Sequence, residues 1–346
     1  MSSESKVLSH LNLQGNAEVR NAVLRSTAFV ALSSPPNAPA IGEVYFDLTV
    51  SALKVWTGSS WLTLSALSEP TSDATIFGTG LDGDETISSN TTLTSNKHYE
   101  NLTIAAGVSL DTNGWQLFVA GTLTLGNGAR IHCNGNAASG STAGAARSSA
   151  GFYGSGGAGQ TGTNNTGGSA SQVANCVGSA GGKGGYASAG SNWGGNGGLA
   201  SPVGATDGGK NSFFLIASMQ TGRVVTGVNG GKFNGGTGGG AGFGNGLFAG
   251  AGGGGGAGIC VVFAFKIVLS GSATISANGG TGGNGASGNA GGGGGGGGGA
   301  CAVVSKYAQP SGLTVGADGG AGGNGFGTGQ TGQTGTAGIA KFVVTA

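Results

Sequence analysis

The sequence predicts an all-β protein in four parts, and three observations carry that prediction. Between Gly258 and Ala346 a short apolar run gives way to a glycine tract, and the exchange then repeats. Residues 81–134 hold short alternating apolar runs, Leu102-Thr-Ile104 and Leu123-Thr-Leu125 among them, set six to nine residues apart by turn signals. Residues 42–64 hold three runs rich in β-branched and aromatic side chains. The expected parts are an attachment segment at 1–34, a small β-meander at 35–67, a β-solenoid-like domain at 68–134, and a Gly-rich domain at 135–346. The last combines repeated short apolar strands with polyglycine II helices or ordered loops.

Taken in order, the first segment spaces Val19, Ala22 and Val23 as a short amphipathic helix would, over about Glu18–Leu24. Such a helix is marginal alone, so attachment or oligomer contact is its expected role. Pro35, Pro36 and Pro39 then fix an extended break. The meander that follows, Gly42–Asp47, Leu53–Gly58 and Trp61–Leu64, is too small to bury a core by itself. In 81–134 the three-residue runs with turn residues between them suit stacked coils of parallel strands. Residues 135–257 are Gly, Ala, Ser, Asn and Thr with isolated aromatics, which points to functional loops or disorder rather than an ordinary globule.

The tract Asn278-Gly-Gly-Thr-Gly-Gly-Asn-Gly285 returns 40 residues later as Asp318-Gly-Gly-Ala-Gly-Gly-Asn-Gly325, and Ile131-His-Cys-Asn-Gly135 looks like a degraded earlier copy. A repeat of that length predicts stacked units. Between the two copies stand nine consecutive glycines, Gly291–Gly299, each of which loses more backbone freedom on folding than any other residue. They are either a flexible linker or extended threefold helices whose backbones bond side by side. The apolar runs that keep returning beside them favour order.

Composition excludes several classes. Glycine contributes 82 of 346 residues, yet proline only 6 and without a strict Gly-X-Y period, which rules out collagen. Lys and Arg number 14 against 13 Asp and Glu, with no basic cluster, so no nucleic-acid partner is expected. No window approaches 18 consecutive apolar residues, which predicts no membrane insertion, and Met1–Val7 lacks the apolar core of a secretory signal. Synthesis in a cytoplasm follows as an expectation. Cys133, Cys176, Cys260 and Cys301 form no CxxC and read as small buried hydrophobes.

Gly42–Asp47, followed by Leu53–Trp56 and Gly58–Trp61, resembles a small module that recurs in bacteriophage tail fibres and other virion appendages, where three chains complete one another's core. That resemblance implies a homotrimeric fibre in a virion tail or capsid appendage. It makes Tyr45, Phe46, Trp56 and Trp61 trimer-core residues and gives the N-terminus other tail or baseplate proteins as partners. A sugar-binding aromatic cluster is the alternative reading of the same four side chains. Residues 86–125 also resemble, in style, segments that precede Gly-rich regions in phage and bacterial surface proteins.

Chemistry is sparse. His10, His98 and His132 pair with no nucleophile in a recognisable arrangement, and the GxGxxG matches are what so much glycine produces by chance. Asp82, Asp84 and Glu85 crowd one turn without the full oxygen-ligand loop of a calcium site. No catalytic residue, metal or cofactor is expected. Aromatics in small polar surroundings remain, and Tyr153, Tyr186, Asn192 and Trp193 are the candidate ligand-binding residues, suited to stacking on a host cell-surface glycan. The expected function is a structural virion fibre or adhesin that binds a surface glycan or protein without catalysis. Alternatives are a purely structural head or tail fibre, an ice-binding protein, and a glycan hydrolase with carboxylates shared between subunits.

Overall fold

A computed structural model of the chain describes residues 31–49, 52–64, 76–147, 153, 156–163, 167–170, 173–187, 194–198, 200–202, 234–244 and 247–345. The expected attachment segment therefore lies outside the described residues except for 31–34. The chain divides into two units, Met1–Pro70 and Thr71–Ala346.

In the first unit the aromatic runs become strands β2 (Val44–Asp47), β3 (Ala52–Trp56) and β4 (Trp61–Leu64), an antiparallel meander, with β1 (Ala31–Leu32) parallel to β2 at its edge. Trp56 and Trp61 are directly opposed, with rings 5.4 Å apart, and Tyr45 meets Trp61 edge-on at 4.8 Å. Tyr45 is buried, while Phe46, Trp56 and Trp61 are half-buried. Asp47 anchors this sheet: it accepts from the Thr49 hydroxyl and N–H, pairs with Lys54 at 2.9 Å and takes the Tyr45 hydroxyl at 3.2 Å. The Thr49 hydroxyl, then Lys54, hold its carboxyl well below the usual carboxylate range.

The second unit rests on two parallel sheets. The six-stranded sheet has the order β17 (Ile339–Val344), β15 (Ala300–Ser305), β13 (Ile259–Leu269), β9 (Gln116–Leu125), β7 (Lys97–Ile104), β5 (Gly83–Ile87). The five-stranded sheet has the order β16 (Leu313–Gly316), β14 (Ala273–Ser276), β10 (Arg130–His132), β8 (Ser109–Asp111), β6 (Thr91–Thr92). A separate parallel pair joins β11 (Val173–Cys176) to β12 (Ala200–Pro202). From β5 to β10, and again from β13 to β17, successive strands fall alternately in the two large sheets.

This corrects the expected fold class. The framework is a pair of mostly parallel sheets, the sheet type of α/β proteins, and not a β-solenoid-like middle segment of a homotrimeric fibre. Strands from the middle and from the Gly-rich stretch share both sheets, β9 pairing with β13 and β10 with β14. Helical residues among those described are confined to Ile76–Phe77, and between described strands turns and glycine segments stand where crossover helices would. Three-residue strands occur at β8 and β10, but not throughout: Leu117–Val119 and Leu123–Leu125 belong to one ten-residue strand. Ala120 and Gly121, which read as a turn, sit where its register with both neighbours shifts, the mark of a β-bulge.

Two apolar layers hold the sheets. Leu102, Ile104, Leu117, Leu123, Leu125, Val262 and Val303 face Leu110, Ile131, Ile275 and Leu313 across the gap between them. On the other face of the six-stranded sheet, Ile259, Val261, Phe263, Ala302 and Val304 are covered by Phe77 and Tyr153. Burial on both faces explains the unbroken apolar run Ile259–Ala264, and beyond it Lys266 and Val268 are exposed. An aromatic stack crosses the strands, with His98 on Phe118 at 4.4 Å and Phe118 on Phe263 at 4.9 Å.

Beyond the strand ends the glycines form a bundle of extended segments joined by backbone hydrogen bonds. In Gly291–Gly299 the N–H groups of residues 291, 294 and 297 go to 243, 240 and 237; those of 292, 295 and 298 go to 330, 333 and 336; those of 293, 296 and 299 go to 283, 280 and 277. A partner that changes with every residue and returns every third defines a threefold extended helix of the polyproline II type. A Cβ at Gly292 would lie 1.9 Å from the Gly323 carbonyl oxygen, at Gly293 1.9 Å from that of Gly252, and at Gly294 2.1 Å from that of Gly182. Each of the three directions is therefore closed by backbone, and this segment is glycine throughout.

Outer segments show the same rule relaxed. In 318–325 two residues of each three are glycine, and Asp318, Ala321 and Asn324 occupy the exposed third position. In 329–338 only Gly329, Gly332, Gly335 and Gly338 face the bundle, while Gln330, Thr331, Gln333 and Thr334 are exposed. The glycine count per triplet thus reports how many sides of a segment are covered. Gly295→Ala, whose Cβ would lie 1.8 Å from the Gly320 carbonyl oxygen, is expected to cost about 3 kcal/mol or more, because backbone cannot give way as a side chain can. Ala321→Ser on the open third of its segment is expected to stay within about 0.5 kcal/mol, and urea unfolding of both variants checks the contrast.

Candidate functional site

The bundle meets the sheets at one end and turns at the other. Gly258, Gly299 and Gly338 lead straight into β13, β15 and β17, whereas residues 139–142, 186–187, 243–244, 247–248, 285–290 and 325–329 lie at the tips. Backbone bonds tie the tips together: Gly291 N–H donates to Phe243 O, Phe243 N–H to Gly185 O, Gln330 N–H to Tyr186 O and Phe326 N–H to Ala290 O. Loop ends fixed this way are positioned by a rigid scaffold, the usual setting for binding residues.

This surface is apolar and amide-bearing. Leu247 is 81% exposed, Phe326 48% and Phe248 44%, with Tyr186 and Phe243 half-buried beside them. Asn284, Asn289 and Asn324 are exposed around the same end. No charged side chain occurs among the described tip residues. Aromatic faces next to carboxamides can stack on a ring and hydrogen-bond its hydroxyls, and the described tip residues bring no cation to a phosphate or a polyanion.

Of the residues singled out from sequence, Tyr186 lies at the tips. Tyr153 lies elsewhere, buried against the six-stranded sheet with its hydroxyl accepting from Gln116 Nε2 at 3.0 Å, and burial pushes its pKa up. Asn192 and Trp193 are outside the described residues. Sequence reasoning missed Phe326 and the exposed asparagines as a group. The signal was present, since each tip interrupts a run with glycine at every third position.

Those asparagines belong to ladders that stitch successive layers. Asn134 Oδ1 accepts the N–H of Asn278 at 2.7 Å, Asn278 Oδ1 that of Asp318 at 2.8 Å, and Asn284 Oδ1 that of Asn324 at 2.8 Å. At the opposite edge Asp82 accepts the His98 N–H at 2.6 Å and Asp84 the Asn101 N–H at 3.1 Å. Asp82, just before β5, and Asp84, within it, thus satisfy N–H groups of the adjoining strand β7 with their carboxylates, so the residues that read as one acidic turn lie along a strand edge.

Other titratable groups are buried or half-buried in the framework of the second unit. Arg147 pairs with Asp111, and its guanidinium also approaches Cys133 Sγ at 3.9 Å. Burial pushes the Cys133 thiol up to about 11, and that of Cys260, beside Cys301 in the adjoining strand, is raised by the Cys301 contact and by burial. Thiols so protonated are poor nucleophiles.

A protein of mostly parallel sheets, bearing a glycine bundle whose aromatic tip carries no charge among its described residues, is what these features define. No protein-family model matches the chain, and no curated protein and no solved structure matches it significantly.

Arg147→Met is expected to lower stability by about 3 kcal/mol, because it strands the Asp111 carboxylate in a largely buried position, and denaturant unfolding measures the loss. Burial also holds His98 and His132 below their ordinary value of 6.5. The unfolded chain takes up protons near that pH and the folded chain does not. Stability is therefore full above 6.5 and declines as pH falls beneath it, levelling off below the folded values. His98→Phe keeps the stack on Phe118 and removes one of the two protons, so its melting temperature should fall less on acidification than that of the parent.

Proposed function

We propose that the chain is a virion appendage subunit, a tail-fibre protein or adhesin, that binds a host cell-surface glycan reversibly and without catalysis. The observation that carries this reading is the tip surface: exposed Phe326 and Phe248, half-buried Tyr186, and the surrounding asparagines, with no charge among the described tip residues. A neutral sugar offers the apolar ring face and the hydroxyls that such groups recognise. The glycine bundle supports it by fixing the tips through backbone rather than through adaptable side chains.

The first unit supplies the other half of the reading. Its Trp56 and Trp61 are half-buried and Ile41, Leu48 and Leu62 are exposed, and the meander resembles the small trimerising module of virion appendages. On this reading three copies associate there, the N-terminus engages other tail or baseplate proteins, and three weak tip sites gain avidity by being held together.

Labelled protein should bind host cells and be displaced by neutral glycans purified from them. Tyr186→Ala combined with Phe326→Ser should weaken that binding about tenfold or more with an unchanged melting temperature. Undiminished binding by that variant would remove the tips from the reading, and absence of binding by the parent would leave a purely structural appendage. Light scattering should give a trimer for the full chain and a monomer once residues 1–67 are removed.

A further inference from the structure

Each Asn-Gly pair in the ladders is latched by two bonds to the next layer. The asparagine Oδ1 accepts an N–H from that layer, and the following glycine N–H donates to a carbonyl there. Gly135 N–H bonds Asn278 O, Gly279 N–H bonds Asp318 O, and Gly285 N–H bonds Asn324 O, each at 2.8 Å. Asn127-Gly128 is held in the same manner against Ser272. Asn113, Asn196 and Asn234 instead precede glycines that are buried.

Asn324-Gly325 belongs to the last layer. Asn324 is exposed and Gly325 half-exposed, and no hydrogen bond from the Asn324 carboxamide or the Gly325 N–H is made to any described residue. Asp318, which tops the neighbouring column, has no amide to lose. The open latch leaves in place both reacting groups of a self-modification that the closed latches block.

We propose that Asn324 is a site of spontaneous deamidation, the first to convert among the described Asn-Gly pairs. The Gly325 nitrogen attacks Asn324 Cγ and gives up its proton to solvent; the Cγ–Nδ2 bond breaks and ammonia leaves. Water then opens the resulting succinimide at either carbonyl to give aspartate or isoaspartate, with no change of oxidation state. In Asn278 and Asn284 the same attack first requires the glycine N–H to leave its acceptor and the carboxamide to leave its donor. The product carries a carboxylate two residues from Phe326, on a tip that otherwise has no charge among its described residues.

The full chain is incubated in mildly alkaline buffer and sampled by tryptic digestion with mass spectrometry. Asn324 is the only asparagine in the peptide Tyr307–Lys341, while Asn278 and Asn284 fall in the preceding one, so the two are read separately. The expected result is an acid in place of the amide at Asn324 at least about tenfold faster than at Asn278 or Asn284, the factor that retaining roughly one hydrogen bond imposes. In urea the difference should vanish, and in the folded variant Asn324→Gln the acidic form of the Tyr307–Lys341 peptide should be lost. Equal rates at the three positions in the folded chain, or conversion at Asn278 or Asn284 before Asn324, would overturn the proposal.

Discussion

Contact between backbones with nothing in between is the constraint on which the second unit depends. Carbonyl oxygens stand about 2 Å from where a Cβ would lie on three successive residues of Gly291–Gly299, so the central segment tolerates only glycine. The entropy lost in ordering glycine is offset by the use of every N–H in that segment, shared among three neighbours. The sheets provide the platform: β13, β15 and β17 each begin where a glycine segment ends, and their apolar side chains fix the starting positions from which the segments run.

Side-chain carboxamides and carboxylates reproduce the same logic along the stack. Asp82 and Asp84 satisfy N–H groups at the first strand edge, Asn101 Oδ1 takes the Thr122 N–H at the bulge, and Asn134, Asn278 and Asn284 carry the ladder into the bundle. A short side chain with an acceptor at its end suits each place, because it spans one layer without entering the core. Arg147 with Asp111 forms a pair that is largely withdrawn from solvent.

Much of this was legible in the residues. The apolar runs at Ile259–Leu269, Ala302–Val304 and Ile339–Val344 are strands, and the copies 40 residues apart are adjacent layers in register, Ala273 with Leu313. The architecture was not. Ala120-Gly121 carries turn chemistry yet sits within a strand, since a bulge and a turn use the same small residues. The pairing of β9 with β13 across more than a hundred intervening residues left no local trace. At the candidate site Tyr186 stood out as an aromatic among small polar residues, whereas Phe326 joined it only because the bundle brings distant tips together. The triplet rule was present as glycine spacing, but a search for one strict period along the chain could not find it, because the count changes with each segment's surroundings.

A threefold segment repeats its faces every three residues and advances about 9 Å in doing so. Insertions or deletions of three residues on both sides of a tip therefore lengthen or shorten that finger by one turn and leave each glycine facing the neighbour it faced before. Any other change rotates the glycine faces by a third of a turn and sets Cβ atoms against carbonyl oxygens. Reach is thus quantised in this protein: descendants can extend a finger or retract it, but only in steps of a codon triplet repeated three times over.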